Sequence, residues 1–122
     1  MGRRVLIVDD EPYIRRILSF KLRREGFATF EAPSAEAAET VLAERELDLV
    51  LLDVALATPT NGFDLAAELR RNAKTQHLPI IMLTARGFAS DVLRGRVVGA
   101  AGYITKPFTA EEVIRRVRAF LG

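Results

Sequence analysis

Carboxylates stand where two short apolar runs end, and they define the chemistry available to this sequence. The run at residues 5–8 stops at Asp9 and Asp10, and the run at residues 49–52 stops at Asp53. Carboxylates crowded together repel one another, so such a cluster either takes up a proton or recruits a cation. A hard divalent ion with oxygen ligands is the natural solution, and Mg²⁺ suits a site that also holds a phosphoryl group.

Two further polar residues follow strand-like runs and extend this set. Thr84 comes after the apolar run at residues 80–83, and Lys106 comes after the mixed run at residues 102–105. A carboxylate can itself be phosphorylated, and the transferred group then requires charge neutralisation and hydrogen bonds to its oxygens. Lys106 can supply the cation and Thr84 the hydroxyl, so Asp53 is a candidate phosphoryl acceptor.

A parallel sheet would position these residues, because strand-like runs alternate with helical patterns along the chain. The strands are predicted at residues 5–8, 27–30, 49–53, 78–83 and 102–105. Helices are predicted between Pro12 and Gly26, after a Ser34 cap, over 63–71, after a Ser90 or Asp91 cap, and after a Thr109 cap. Such alternation implies right-handed crossovers.

The first of these helices would open with Asp9, Asp10 and Glu11 as an acidic first turn, which suits the helix dipole. The fourth would hold Gly95 and Gly99 in its interior, where each glycine costs about 1 kcal/mol relative to alanine.

The order of the strands follows from their apolar content. Strands one, three and four are uniformly apolar and belong in the centre, whereas strands two and five are mixed and belong at the edges. The predicted fold class is therefore α/β, a single doubly wound five-stranded parallel sheet in the order 2-1-3-4-5. Its switch point lies between strands one and three, so the carboxylates of Asp9, Asp10 and Asp53 converge at one end of the sheet.

Composition narrows the class of protein further. The 122 residues fit one domain over 1–122, and 49% hydrophobic residues can build a core. No apolar run approaches the roughly 18 residues of a membrane span, so we expect no membrane association, and the absence of cysteine suits a cytoplasmic location. Net charge is +2, and we interpret the scattered arginine pairs as solvated helix faces with no direct nucleic-acid contact by this domain. These pairs are Arg15-Arg16, Arg23-Arg24, Arg70-Arg71 and Arg115-Arg116.

Four motifs together resemble the receiver domain of two-component response regulators, the CheY-like domains. They are Val8-Asp9-Asp10-Glu11, Leu51-Leu52-Asp53, Leu83-Thr84-Ala85 and Tyr103-Ile104-Thr105-Lys106-Pro107-Phe108. The resemblance covers essentially the whole chain, with each motif on the expected element, and it implies a flavodoxin-like (βα)5 fold. It also implies a phosphoprotein that takes a phosphoryl group from a histidine kinase or phosphotransfer protein and signals to a downstream effector domain or protein. Such a domain assists its own phosphorylation and dephosphorylation but is not an enzyme for an external substrate.

The resemblance assigns a role to each residue of the site. Asp53 would be phosphorylated, and Mg²⁺ would be bound by Asp9, Asp10 and Asp53, with Asp10 favoured over Asp9 as a direct ligand. The backbone carbonyl of Ala55 would be a further ligand. The remaining assignments are Thr84 and Lys106 as phosphoryl contacts, Thr84 and Tyr103 as the switch pair, and Lys106-Pro107 as a cis peptide.

The sequence departs from the receiver pattern at a few positions. The spacing of Pro59 and Gly62 after Asp53 makes the following loop one residue longer. Ala101-Gly102 replaces an acidic pair before the switch aromatic, which predicts a monomer or weak dimer. Arg86 occupies a position that influences phosphoryl lifetime in receivers, in a direction that stays open.

Three other functions compete with the receiver interpretation. A pseudo-receiver acting as a phosphorylation-independent interaction module remains the alternative, because the loop after Asp53 is altered. An aspartyl-phosphate phosphatase needs a second carboxylate close after its nucleophile, and residues 54–56 offer none. A nucleotide or flavin binder would want a glycine-rich or hydroxyl-rich first loop, whereas Asp9, Asp10 and Glu11 would repel phosphate.

Overall fold

The computed structural model describes residues 2–56, 61–84 and 99–122, which contain five strands and four helices. The strands are β1 (Arg4–Val8), β2 (Ala28–Ala32), β3 (Leu49–Asp53), β4 (Ile80–Thr84) and β5 (Gly102–Thr105). The helices are α1 (Pro12–Arg24), α2 (Ala35–Glu44), α3 (Gly62–Arg71) and α4 (Ala110–Leu121). None of these helices is long and apolar enough to cross a membrane.

All neighbouring strands pair in parallel, in the order β2-β1-β3-β4-β5. The α/β fold class and the strand order predicted from the sequence are therefore confirmed. Side chains of a strand alternate between the two faces of the sheet. Leu6 and Val50 accordingly pack with α2 and α3 on one face, whereas Ile7 and Leu51 pack with α1 and α4 on the other. Helices cover both faces, which explains why the central strands are continuously apolar.

Three predicted strands differ at their ends from the observed ones: β1 begins one residue earlier, at Arg4, β2 runs from Ala28 to Ala32, and β4 runs from Ile80 to Thr84. Local turns explain the later starts of β2 and β4. The Phe27 N–H donates to the carbonyl oxygen of Leu22, so Phe27 closes the end of α1 instead of starting β2. The Leu78 N–H donates to the carbonyl oxygen of Thr75, which keeps Leu78 in a turn before β4. At its other end β4 extends to Thr84, so this threonine is the last residue of the strand.

Glycines near two element ends adopt left-handed backbone conformations. Gly26 has a φ of +95°, and its predicted role as the stop of α1 is confirmed. Gly99 has a φ of +76° and lies in a turn before β5, so its predicted position inside the fourth helix is wrong. The rest of that predicted helix, which follows Ser90 or Asp91, lies within residues 85–98, and these residues and the loop segment 57–60 are outside the described residues. Predictions for Pro59, Arg86, Ser90, Asp91 and Gly95 lie outside the described residues.

The start of α1 also differs from expectation. We predicted an acidic first turn, but α1 begins at Pro12 and its first turn holds no acidic residue. Asp9, Asp10 and Glu11 precede the helix, with Glu11 as its N-terminal flanking residue. The acidic side chains therefore belong to the connection between β1 and α1.

Three of the four arginine pairs have one partly buried member, Arg15, Arg70 or Arg116, which corrects the interpretation of those pairs as solvated, whereas Arg23 and Arg24 are both exposed. One member of each pair donates a hydrogen bond to another part of the structure. These contacts are Arg15 to the carbonyl of Asp9, Arg23 to the hydroxyl of Thr29, Arg70 to the carbonyl of Gly99 and Arg116 to the carbonyl of Tyr103. The neighbouring Arg16, Arg24, Arg71 and Arg115 are exposed, because adjacent helix residues point about 100° apart.

Candidate functional site

Three carboxylates meet at the carboxyl end of the sheet. Asp9 follows the last residue of β1 and Asp53 ends β3, and these strands are neighbours. Asp9 is fully buried, Asp53 is 3% exposed and Asp10 is half-buried. One oxygen from each carboxylate lies within 4.8 Å of the others. The structure therefore brings together the acidic residues that the strand order predicted to converge.

Lys106 places an ammonium group between two of these carboxylates. Its Nζ lies 2.9 Å from Oδ2 of Asp9 and 3.5 Å from Oδ2 of Asp53. Its backbone N–H donates a 2.6 Å hydrogen bond to the carbonyl oxygen of Thr84. The end of β4 therefore fixes the start of the connection between β5 and α4. Burial lowers the pKa of Lys106, but the hydrogen bond to Asp9 and the charge of Asp53 outweigh burial and raise it overall. The lysine thus stays charged.

Backbone donors hold the other oxygens of the two buried carboxylates. The Glu11 N–H donates a 2.9 Å hydrogen bond to Oδ1 of Asp9. The Ala55 N–H donates a 3.1 Å hydrogen bond to Oδ1 of Asp53. Each carboxylate therefore has one oxygen on a backbone amide and the other beside Lys106.

The electrostatic balance of the site remains negative. Burial raises the pKa of Asp53 to about 6, and the charges of Asp9 and Asp10 act in the same direction against Lys106 and the Ala55 amide. The ammonium of Lys106 is one positive charge against the three carboxylates of the cluster. Every side-chain atom that these acidic residues offer to a metal ion is an oxygen. This donor set fits a hard divalent cation such as Mg²⁺. The exposed Ala55, two residues after Asp53, is placed to offer its backbone carbonyl as a further ligand.

Gly62 supports the site in a way that the sequence analysis missed. Its N–H donates a 3.0 Å hydrogen bond to the carbonyl oxygen of Val54. A Cβ at Gly62 would lie 2.1 Å from the carbonyl oxygen of Asp53, so only glycine fits. Asn61 and Asp64 then cap α3 reciprocally. The signal in the sequence is a glycine that directly follows an asparagine after Asp53, a pair that the sequence pattern assigns only to the loop.

Thr84 and Tyr103 lie on the same face of the sheet. Met82 pairs with Tyr103 in register, and side chains two residues apart share a face, so Thr84 projects on that side. Thr84 is 4% exposed at the end of β4, and Tyr103 is half-buried. The peptide between Lys106 and Pro107 is cis, as the resemblance implied.

A family comparison agrees with this arrangement. The model of the response regulator receiver domain matches residues 5–118. The chain belongs to the response regulator receiver family. In this receiver, the matched segment includes every element that contributes to the acidic site.

Relatives of this receiver include transcriptional regulators and a chemotaxis protein. The chain is 42% identical over 121 residues to the phosphate regulon transcriptional regulatory protein PhoB of Pseudomonas aeruginosa, covering 99% of this chain and 52% of that protein. It is 40% identical to PhoB of Escherichia coli, with the same coverage. The chain thus spans about half the length of these curated relatives. The structure of the chemotaxis protein CheY4 of Vibrio cholerae superposes with a TM-score of 0.93 at 27% identity, covering 98% of this chain and 99% of that one.

Proposed function

We propose that this receiver accepts a phosphoryl group on Asp53 from a phosphohistidine of a histidine kinase or phosphotransfer protein. In that step the bond between phosphorus and the imidazole nitrogen breaks, a bond from phosphorus to an Asp53 oxygen forms, and the imidazole leaves. The observation that carries the proposal is the buried Asp53 carboxylate with Lys106 Nζ 3.5 Å from its Oδ2. Receivers are generally regulatory and do not turn over external substrates.

The residues around Asp53 have distinct parts in this proposal. The Ala55 N–H orients the carboxylate through Oδ1, and the ammonium of Lys106 neutralises charge that develops on the transferred oxygens. The hydroxyl of Thr84, at the end of the neighbouring strand, contacts the phosphoryl group. The pKa of Asp53, about 6, leaves the carboxylate ionised and nucleophilic at neutral pH.

Mg²⁺ is the cation that we infer for the acidic cluster. Asp9, Asp10, Asp53 and the carbonyl of Ala55 would hold it, with Asp10 favoured over Asp9 as a direct ligand. When bound, Mg²⁺ would offset the negative charge of the carboxylates and of the incoming phosphoryl group. The closeness of three carboxylate oxygens, all within 4.8 Å, supports this assignment.

The output of the domain is a change of conformation that an effector detects. We infer that Thr84 turns toward the phosphoryl group and that Tyr103 moves with it, because the two share a sheet face. A ligand shifts such an equilibrium only by interacting more favourably with one state. From the similarity to PhoB we infer that the whole protein carries an effector domain for transcriptional regulation. The receiver itself would make no direct contact with nucleic acid. Its place of action would be the cytoplasm.

Phosphorylation of the intact protein tests the proposal directly. Incubation with acetyl phosphate and Mg²⁺ should add the mass of one phosphoryl group to the wild type and to the control Asp64→Asn, whose carboxylate is exposed. Asp53→Asn should gain none. A phosphoryl group that still appears on Asp53→Asn would refute the acceptor assignment. A wild type that gains none would favour the alternative, a phosphorylation-independent interaction module.

A further inference from the structure

Arg15 connects the end of β1 with β2. Its Nη1 donates a 2.6 Å hydrogen bond to the backbone carbonyl oxygen of Asp9. Its Nε lies 3.4 Å from Oε1 of Glu31 on β2, and its side chain is only 15% exposed. A guanidinium so placed serves the structure around Asp9 and is not simply a solvated charge on α1.

The carbonyl that Arg15 holds belongs to the peptide joining Asp9 to Asp10. The other polar groups of Asp9 have partners as well, since its N–H donates to the carbonyl of Ala32 and its carboxylate is bound by Glu11 N–H and Lys106. A peptide unit is planar, so fixing its oxygen also fixes the direction in which the chain continues to Asp10. Arg15 therefore restrains the backbone that carries the half-buried carboxylate of Asp10.

Glu31 holds Arg15 by charge. The Nε of Arg15 is buried and makes no hydrogen bond within the described part of the chain, although the Glu31 carboxylate lies at ion-pair distance. Glu31 itself is 32% exposed and contacts none of the three clustered carboxylates in the described structure. In the described structure Arg15 is therefore the side chain that links Glu31 to the cluster.

We infer that Arg15 is a positioning residue that sets the divalent-cation affinity of the Asp9, Asp10 and Asp53 cluster, and that Glu31 acts through Arg15. The inference rests on the proposed function in that it takes the cluster to be a cation site. It assigns a role to two side chains that the phosphoryl chemistry does not use.

Removing Arg15 has two opposing effects on cation affinity, and we expect the weakening effect to be the larger. Loss of a positive charge near the carboxylates would strengthen cation binding, whereas loss of the hydrogen bond to the Asp9 carbonyl would weaken it. The ion pair with Glu31 already offsets much of the charge of Arg15. Loss of groups that orient metal ligands typically costs about 10-fold to 100-fold in affinity. Arg15→Met should therefore bind Mg²⁺ more weakly than the wild type.

Titration with Mg²⁺ alone, followed by the backbone amide shifts of residues 9–11, measures this affinity without a phosphodonor. We expect Arg15→Met to bind about 10-fold more weakly and Arg15→Lys, which keeps a donor and the charge, to recover part of the loss. The control Arg16→Met removes the same charge from an exposed neighbour and should bind like the wild type. Glu31→Gln should weaken binding less, and should add nothing in the Arg15→Met background.

Unchanged or tighter binding by folded Arg15→Met would overturn the inference. If Arg15→Met lacks a dispersed amide spectrum, Arg15→Lys and Glu31→Gln decide the matter, and wild-type affinity in both would also overturn it. A wild type without Mg²⁺-dependent shifts would refute the cation site and this inference together. Phosphorylation of Asp53→Asn would refute only the proposed acceptor, because the titration contains no phosphodonor.

Discussion

Arg70 donates two hydrogen bonds to the carbonyl oxygen of Gly99, from Nη2 at 2.8 Å and from Nε at 3.2 Å. Its Nη1 also donates to the carbonyl oxygen of Gln76 at 3.0 Å. A Cβ at Gly99 would lie 2.9 Å from Arg70 Nε, so the absence of a side chain at Gly99 makes room for the guanidinium. Arg70 thus joins the end of α3 to the turn that leads into β5.

Replacing Arg70 should lower the free energy of unfolding. Arg70→Met removes the donors to the carbonyl oxygens of Gly99 and Gln76, and we expect a loss of about 1–2 kcal/mol. Urea denaturation measures this change, with Arg71→Met as the control because Arg71 is exposed. Equal losses of unfolding free energy in the two variants would show that the hydrogen bonds of Arg70 do not stabilise the fold.

Gly62 should tolerate no side chain. Gly62→Ala places a Cβ 2.1 Å from the carbonyl oxygen of Asp53, so β3 and α3 must move apart at the site. We expect a loss of more than about 2 kcal/mol together with weaker Mg²⁺ binding, measured by thermal unfolding and by amide shifts. Gly102→Ala is the matched control, since its Cβ meets only Arg116 Nη1 at 3.6 Å. A stable Gly62→Ala protein would contradict the packing described.

The stability of the metal-free protein should fall as pH rises through the pKa of Asp53. Burial raises that pKa from 3.8 to about 6, so the folded state binds the proton more tightly than the unfolded state. The resulting stabilisation is fully present below about pH 3.8 and is lost as pH rises through about 6. Asp53→Asn carries no ionisable group there and should be more stable than the wild type by about 2 kcal/mol at pH 8.

Urea denaturation with a chelator at pH 5 and pH 8 checks this, because the advantage of Asp53→Asn should grow between the two values. Glu44→Gln, which alters an exposed carboxylate on α2, should show no such growth. Added Mg²⁺ should stabilise the wild type more than the mutant by mass action. A mutant advantage that is the same at both pH values would refute the explanation by burial.

The activated receiver should remain a monomer or weak dimer. Arg116 Nη2 donates to the carbonyl oxygen of Tyr103 at 3.0 Å, and Ala101-Gly102 offers no carboxylate beside it. Sedimentation velocity with and without beryllofluoride, a phosphoryl mimic, measures the association. A tight dimer formed only with beryllofluoride would contradict this prediction.

The proposed switch predicts a change in amide exchange over residues 86–108 when beryllofluoride binds. Movement of Thr84 and Tyr103 would alter the packing beside β5, so amides in this stretch should change their protection while those of β1 do not. Hydrogen exchange read by mass spectrometry measures both segments. Identical exchange in the two states would refute the switch.

The sequence by itself determined the strand order and the place of the acidic cluster. Apolar runs at residues 5–8, 49–52 and 80–83 identify central strands because only strands covered on both faces are continuously apolar. Parallel pairing then places Asp9 and Asp53 at the same end of the sheet, beyond the carboxyl ends of the strands. Both inferences use periodicity and polarity, which are local properties of the chain, and the observed sheet confirms them.

Only the tertiary structure decided which long side chains serve the fold and the site. Arg15 and Arg16 look equivalent in sequence, yet one reaches the carbonyl of Asp9 and the other is exposed. The contact of Gly62 with Asp53 likewise joins residues brought together by the closing of β3 onto α3. Such contacts depend on the angle at which a helix meets the sheet and on a few ångströms of reach. Hydrophobic periodicity carries no information about either.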